Sequence, residues 1–411
     1  MKKLMKLAAI LGIVYVGATF FGSFYAQKQY DQLMSMVEEE LSVYQVKLIE
    51  HAYERGVFTS KARVVVVLPL GRDADEGYRF DVSSDIHSGP WLGGSNFGLG
   101  KIDSVISPSS GAFSSGMYKL WGGKVMVTSQ TIIGFFKGRS NRTEVLPFQY
   151  TDENGTIDFR GGTGSVDYPL TQLSFPFYQM KGRYGDIVTV ENIQIQTTGN
   201  AVLSEFSGTM NIGRVTSSEV YGGAEFEAQD LLLDMRTVVV GDLQSMRVKG
   251  RMTHFYEEKT ARIEMDYEAE NINYDALRQL QGMKGLAFGS REIDVLWFNI
   301  IKPRPTVNVN LTMTQDGKTA FVRGNFKFAE FGSRDFLMNP LILLLERGVA
   351  YVEVKIPVSF VDSAASGFAE YGALKSLLQQ GNLIQQGQDY VGVYSFEKKT
   401  LMVNGKKVSL F

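Results

Sequence analysis

His51, His87 and His254 are the three histidines of this 411-residue chain, and no cysteine accompanies them. No two of them stand at i and i+4, and HExxH is absent, so the spacing offers no His-rich zinc site. The lack of cysteine excludes disulfides, thiolate catalysis, Cys-ligated metal and a lipoprotein cleavage site. It does not fix the compartment. A hydroxyl–imidazole–carboxylate triad needs one histidine, so counting leaves it open, yet no G-x-S-x-G elbow is present. GSNFGLGKID, from Gly94, approaches a phosphate loop, but Ile102 stands where Ser or Thr should hold Mg²⁺. RGGTGS, Arg160 to Ser165, has the glycines of a nucleotide loop without a βαβ context and reads as a β-turn. Asp and Glu are plentiful enough for a glycosidase-like carboxylate pair, though no pattern singles one out. Neither a cofactor nor a metal is expected.

The elements that would carry such residues begin with a membrane segment. Leu7 to Ala26, LAAILGIVYVGATFFGSFYA, holds no charged residue. As an α-helix it spans ~30 Å, about the thickness of a bilayer core. Lys2, Lys3 and Lys6 precede it, which places the N-terminus in the cytoplasm and the bulk of the chain in the periplasm. The apolar run exceeds a signal-peptide core and lacks a small-residue cleavage site, so an uncleaved anchor is the expectation. Residues 27–42 continue as a juxtamembrane helix, with Tyr30, Leu33, Met34, Val37 and Leu41 at helical spacing.

Beyond Val43 the pattern is that of strands. ARIEMDYEAE alternates, with Ala261, Ile263, Met265, Tyr267 and Ala269 on one face and Arg262, Glu264, Asp266, Glu268 and Glu270 on the other. TVNVNLTM repeats this, and Asp316-Gly317 turns the chain into KTAFVRGNFKF. Pro357 suggests an edge or a strand end, and Asn404-Gly405 is the strongest hairpin signal. The glycine-rich stretch from Gly89 to Gly185 predicts long loops and bulged strands. Three helices are expected: Asp275 to Gln281, Pro340 to Arg347 with Asn339 as N-cap, and Asp362 to Gly381.

The aromatic share of 12%, the 43 glycines and the charged share of 21% suit a β-rich globular body. Setting aside the three N-terminal lysines leaves 39 basic (42 − 3) against 44 acidic residues, so nucleic acid is not an expected partner. The fold class expected is mainly β with a few helices (α+β): one transmembrane helix, then a large, curved, antiparallel periplasmic body. The divisions are 1–6 cytoplasmic, 7–26 anchor, 27–42 juxtamembrane helix, 43–270 first β-rich region, and 271–411 second β-rich region with three helices and the C-terminal hairpin.

HAYERGVFTSKARVVVVLP, His51 to Pro69, joins two strands through ERGVFTS and ends in a valine run without alternation. Such a run needs cover on both faces, one from the sheet core and one from a further element such as the juxtamembrane helix. Tyr53, Arg55, Gly56, Phe58, Ser60 and Ala62 fit a pattern like Y-x-R-G-x-F-S-S-x-A, with Thr59 in place of Ser. With NINYDALRQLQ from Asn271 and the C-terminal Asn404-Gly405 stretch, the chain resembles the YdgA-like bacterial envelope proteins of unknown function. IHSGP at Ile86 to Pro90 departs from an uninterrupted His-Gly-Pro, which argues against a chemical role for His87. The resemblance implies a single-pass inner-membrane protein with a β-rich periplasmic body, and a structural role for the motif residues. No catalytic constellation points to an enzyme. The function expected is an anchored scaffold or binding protein for an apolar, lipid-like ligand or an envelope protein. The alternatives are an envelope-polymer hydrolase with paired carboxylates and an oligomerising assembly factor, including homo-oligomers.

Overall fold

The computed structural model describes Gln27 and residues 47–56, 58–69, 77–89, 91–92, 98–109, 115–134, 139–167, 169–199, 205–218, 226–256, 259–282, 291–331, 335, 340–360 and 376–408. The Leu7–Ala26 segment, the juxtamembrane helix beyond Gln27, Asn339 and most of Asp362–Gly381 lie outside these residues. Among the described residues no helix is long and apolar enough to cross a membrane. The architecture is mainly antiparallel sheet with few helices. The chain forms two compact units, 1–184 with 192–202, and 185–191 with 203–411.

The first unit contains β1 (Lys47–Glu54), β2 (Thr59–Pro69), β3 (Gly77–Ser88), β4 (Gly100–Pro108), the helix α1 (Ser115–Trp121), β5 (Val127–Ile133), β6 (Arg139–Val145), β7 (Phe148–Asp152), β8 (Gly155–Phe159), β9 (Gly162–Asp167) and β10 (Leu170–Gly182). From β1 to β6 each strand pairs antiparallel with the next. β6 and β7 then behave as one long strand, and β8 and β9 as its partner: Val145 opposes Gly162 and Phe148 opposes Phe159 in one unbroken register. β10 continues the meander by pairing with both β9 and β8.

RGGTGS is therefore not a turn. Gly162 to Asp167 runs as strand, and only Gly161, at φ 79°, departs from extended backbone. Among the described residues from Gly89 to Gly185, where long loops are expected, most of the chain forms this meander for a chemical reason. One row across the sheet reads Ala62, Ser84, Ser104, Ser129, Thr143, Gly164, Leu173. Its side chains bond to one another, Ser84 to Ser104 at 2.7 Å and Thr143 to Ser129 at 3.2 Å, so the face needs no apolar alternation to be satisfied.

The valine run is covered on both sides. Val64 shares a cross-strand row with Val82, Ile106, Val127 and Val145, while Val65 faces the other way, opposite Asp81. Val64, Val65 and Val67 are all buried.

The second unit holds β12 (Glu205–Ser218), β13 (Phe226–Val240), β14 (Leu243–Tyr256), β15 (Lys259–Asn273), α2 (Tyr274–Gly282), α3 (Arg291–Ile301), β16 (Thr306–Gln315), β17 (Lys318–Phe328), α4 (Pro340–Arg347), β18 (Gly348–Pro357), β19 (Ile384–Gln386), β20 (Asp389–Glu397), β21 (Thr400–Val403) and β22 (Lys406–Val408); β11 (Ile187–Gly199) has residues in both units. β12 to β18 form a second meander, and β20 follows β18 directly. Asp316-Gly317 makes the two-residue turn, at φ 51° and 73°. Pro357 marks a strand end; β18 lies between β17 and β20 and is not an edge.

α2 starts where Asn273 Oδ1 accepts the Ala276 N–H at 2.8 Å, an N-cap. α3 has no counterpart among the expected helices, although Ile293, Leu296, Ile300 and Ile301 fall at helical spacing and are buried. Ala276, Leu296 and Ile300 form one packed cluster; Ile301, Phe328 and Leu343 form another with Phe298, Phe326 and Leu344. Glu270 lies inside β15, so the sheet runs on through the junction expected between 270 and 271.

Candidate functional site

The second meander keeps its two faces chemically distinct along its whole width. On one face a row reads Leu233, Gly250, Met265, Leu311, Val322, Val354, Gly392. One residue along each strand, the opposite face reads Asp234, Lys249, Asp266, Asn310, Arg323, Glu353, Val393. Period-two alternation in strands of equal register produces this separation.

The polar face is laced by ion pairs. The Arg247 guanidinium meets Asp266 through Nε at 3.0 Å and Nη2 at 2.7 Å, and this fork holds the Asp266 carboxyl below the usual carboxylate range against a smaller opposing effect of burial. Arg262 pairs with Glu264 at 2.6 Å on the same face. These are solvated surface pairs that keep the face wet.

Among the described residues, the apolar face is closed at one end. Phe326 and Phe328 pack into the cluster of α3 and α4, and Ala269, in the same row as Val307 and Phe326, is fully buried. Two rows further along, Leu311 is 41% exposed. Met265, Met313, Ile263 and Val322 around it are half-buried. Six methionines point to this face: Met210, Met235, Met246, Met252, Met265 and Met313. Gly250 belongs to the design of the row. A Cβ there would lie 3.0 Å from Leu233 Cδ2, so its absence lets Leu233 and Met265 lie flat across β14. The arrangement is a broad apolar surface, lined by adaptable side chains and stopped at one end by helices.

The motif residues fall in two places. Tyr53, Arg55, Gly56, Phe58, Ser60 and Ala62 gather at the β1–β2 connection in the first unit. Ser60 is 1% exposed; its Oγ accepts the Gly56 N–H at 3.2 Å and donates to the Gly56 carbonyl at 3.4 Å. A Cβ at Gly56 would lie 2.0 Å from the Thr59 carbonyl oxygen, so only glycine fits this turn. Tyr53 sits opposite Ala62, which is buried, and the Phe58 carbonyl accepts the Ser88 N–H at 2.9 Å. The Phe58 ring stays exposed and Arg55 lies in the connecting turn.

Asn404 and Gly405 belong to the second unit and turn β21 into β22 at φ 49° and 77°. Asn404 Oδ1 accepts the Val393 N–H at 2.8 Å, and Nδ2 donates to the carbonyls of Gly381 at 3.0 Å and Asn382 at 3.2 Å. One side chain thus ties three segments together. Asn404→Ala should cost about 1–3 kcal/mol, since it strands a backbone donor and puts Ala at positive φ. Urea titration of the full-length chain gives the value, and a midpoint within error of wild type would refute it.

Among the described residues no group of three histidine or carboxylate side chains could hold a metal ion. No curated protein and no solved structure matches the chain. The family model described as "Bacterial protein of unknown function (DUF945)" matches residues 1–285, which take in the β1–β2 motif and stop short of the C-terminal hairpin. By that match over more than half of its length, the chain belongs to the DUF945 family of bacterial proteins of unknown function.

Proposed function

We propose that this is an envelope binding protein, held at the inner membrane through Leu7–Ala26, whose apolar face on β12–β18 receives the acyl chains of a lipid-like ligand. The observation that supports the reading is Leu311, a large aliphatic side chain left 41% exposed in the interior of a sheet. Its row neighbours are apolar across seven strands, whereas a scattered surface leucine would need no explanation. The methionines suit flexible chains of varied length better than a single rigid ligand, because unbranched thioethers repack around what they touch.

The test is a photocrosslinking amino acid at position 311 of the full-length chain in native membranes, with position 310 as control. Leu311 and Asn310 are adjacent but point to opposite faces. The expected result is a lipid-mass adduct at 311 and none at 310. Equal labelling at both positions, or none at 311, would refute lipid binding at this face. Leu311→Asp should lower capture at a probe placed at Met265 at least fivefold, with the melting temperature little changed, because the side chain is already partly hydrated.

A further inference from the structure

Two motif stretches that the sequence leaves apart meet in the first unit. Thr59 opens β2, His87 lies near the end of β3, and the two pair directly across the strands. Thr59 Oγ1 lies 3.2 Å from His87 Nδ1. On the other side of the ring, His87 Nε2 lies 3.5 Å from Asp103 Oδ2 on β4. A hydroxyl therefore meets one imidazole nitrogen while a carboxylate faces the other.

The carboxylate is held in place. Gln130 Nε2 donates to Asp103 Oδ1 at 2.9 Å and Lys101 Nζ sits 2.8 Å from Oδ2. Partial burial opposes its ionisation, but Lys101, Gln130 and the nearby His87 together hold its carboxyl below the usual range. The row that holds Asp103 also carries the charged residues Glu54, Lys61, Asp85 and Arg142, which face it across β1 to β6. A solvated polar face accounts for isolated ion pairs. It does not call for an ordered chain of three groups of the kind that activates a hydroxyl: nucleophile, base and orienter. His87 and Asp103 keep 39% and 37% of their side chains exposed, so a substrate can reach them. Leu99, the residue before β4, is an exposed aliphatic side chain close by in the chain, its carbonyl accepting the Gly89 N–H at 3.4 Å two residues past His87.

We propose that Thr59, His87 and Asp103 form an acyl-transfer site that hydrolyses carboxylic esters with a short apolar acyl group. Thr59 Oγ attacks the ester carbonyl carbon as its proton passes to His87 Nδ1. The tetrahedral adduct collapses, the carbon–oxygen bond to the alcohol breaks, and His87 returns the proton to the departing alkoxide. Water, deprotonated by His87, then attacks the acyl-threonine ester. The second collapse releases the acid and restores the Thr59 hydroxyl. Ester and water become acid and alcohol, with no net change at the protein. Asp103 acts as a positioning residue that orients the ring and stabilises the imidazolium. The site stands independently of lipid binding in the second unit.

The test uses the full-length chain with p-nitrophenyl butyrate. Wild type should release nitrophenolate at a rate that rises with pH to a plateau. His87→Gln and Thr59→Val should each lower kcat/KM at least tenfold and abolish the pH-dependent step. Thr59→Ser should equal or exceed wild type, because it removes the methyl group crowding the nucleophile. Asp103→Asn should lower kcat more than it raises KM. All three positions are at least partly exposed, and unchanged thermal melting separates lost chemistry from lost folding. No turnover above buffer by wild type, or turnover that survives His87→Gln or Thr59→Val, would overturn the proposal.

Discussion

Val67→Asp should yield no folded protein. Val67 is 2% exposed, in a strand whose neighbours Val64 and Val65 are buried on opposite faces. Deleting the valine forfeits about 1.5–3 kcal/mol of burial, and placing a carboxylate in its stead adds a desolvation cost of several kcal/mol. Against a typical net stability of about 5–15 kcal/mol, the combined loss removes most or all of the folded population. Glu54→Gln, at the exposed last residue of β1, should stay within about 0.5 kcal/mol of wild type. Accumulation and thermal melting of the two full-length variants decide the matter. Normal accumulation of a cooperatively melting Val67→Asp chain would show that the strand is not covered on both sides.

Asp335→Ala should be nearly as severe. Asp335 is 2% exposed, and its carboxylate faces Arg347, with Nη2 donating to Oδ1 at 3.1 Å and Nε 2.9 Å from Oδ2. Arg347 closes α4, and its carbonyl accepts the Ala329 N–H at 2.7 Å just past the end of β17, so the ion pair sits where helix and strand are joined. Removing one partner of a fully buried pair costs about 3–5 kcal/mol; Arg347 keeps 37% of its side chain exposed, so solvent offsets part of this and the lower end, about 3 kcal/mol, is expected. The double variant Asp335→Leu with Arg347→Met should recover part of that loss, as apolar replacement of both partners leaves no stranded charge. Denaturant midpoints of the single and double variants measure the coupling. Equal destabilisation by the single and double changes would mean that packing, not charge, holds this corner.

These sites differ in how openly the sequence declares them. The strands of the second meander were legible because Ala261–Glu270 and its neighbours alternate strictly, and because Asp316-Gly317 and Asn404-Gly405 name their turns. The first meander was less so. Ser84, Ser104, Ser129 and Thr143 satisfy one another by hydrogen bonds, and a face built that way leaves no apolar period to detect. The helix Arg291–Ile301 is hard to read from sequence because Val295, Trp297 and Phe298 interrupt its stripe and give it the look of a buried strand. The apolar face could be read as a face, but its openness depends on where the helices stop, which no local pattern records. The Thr59–His87–Asp103 contact joins residues 28 and 16 positions apart through register alone. The IHSGP departure argued against a chemical role for His87, whereas the ring stands between a hydroxyl and a carboxylate.

From β2 to β6, and again from β12 to β18, every strand pairs with the strand that follows it in the chain. Such connectivity keeps contact order low for a β protein, since each strand pairs with its sequence neighbour, and the longer β4–β5, β15–β16 and β17–β18 connections carry helices of their own. A polypeptide emerging N-terminus first can therefore zip up strand by strand, without holding early segments unpaired while it waits for distant ones.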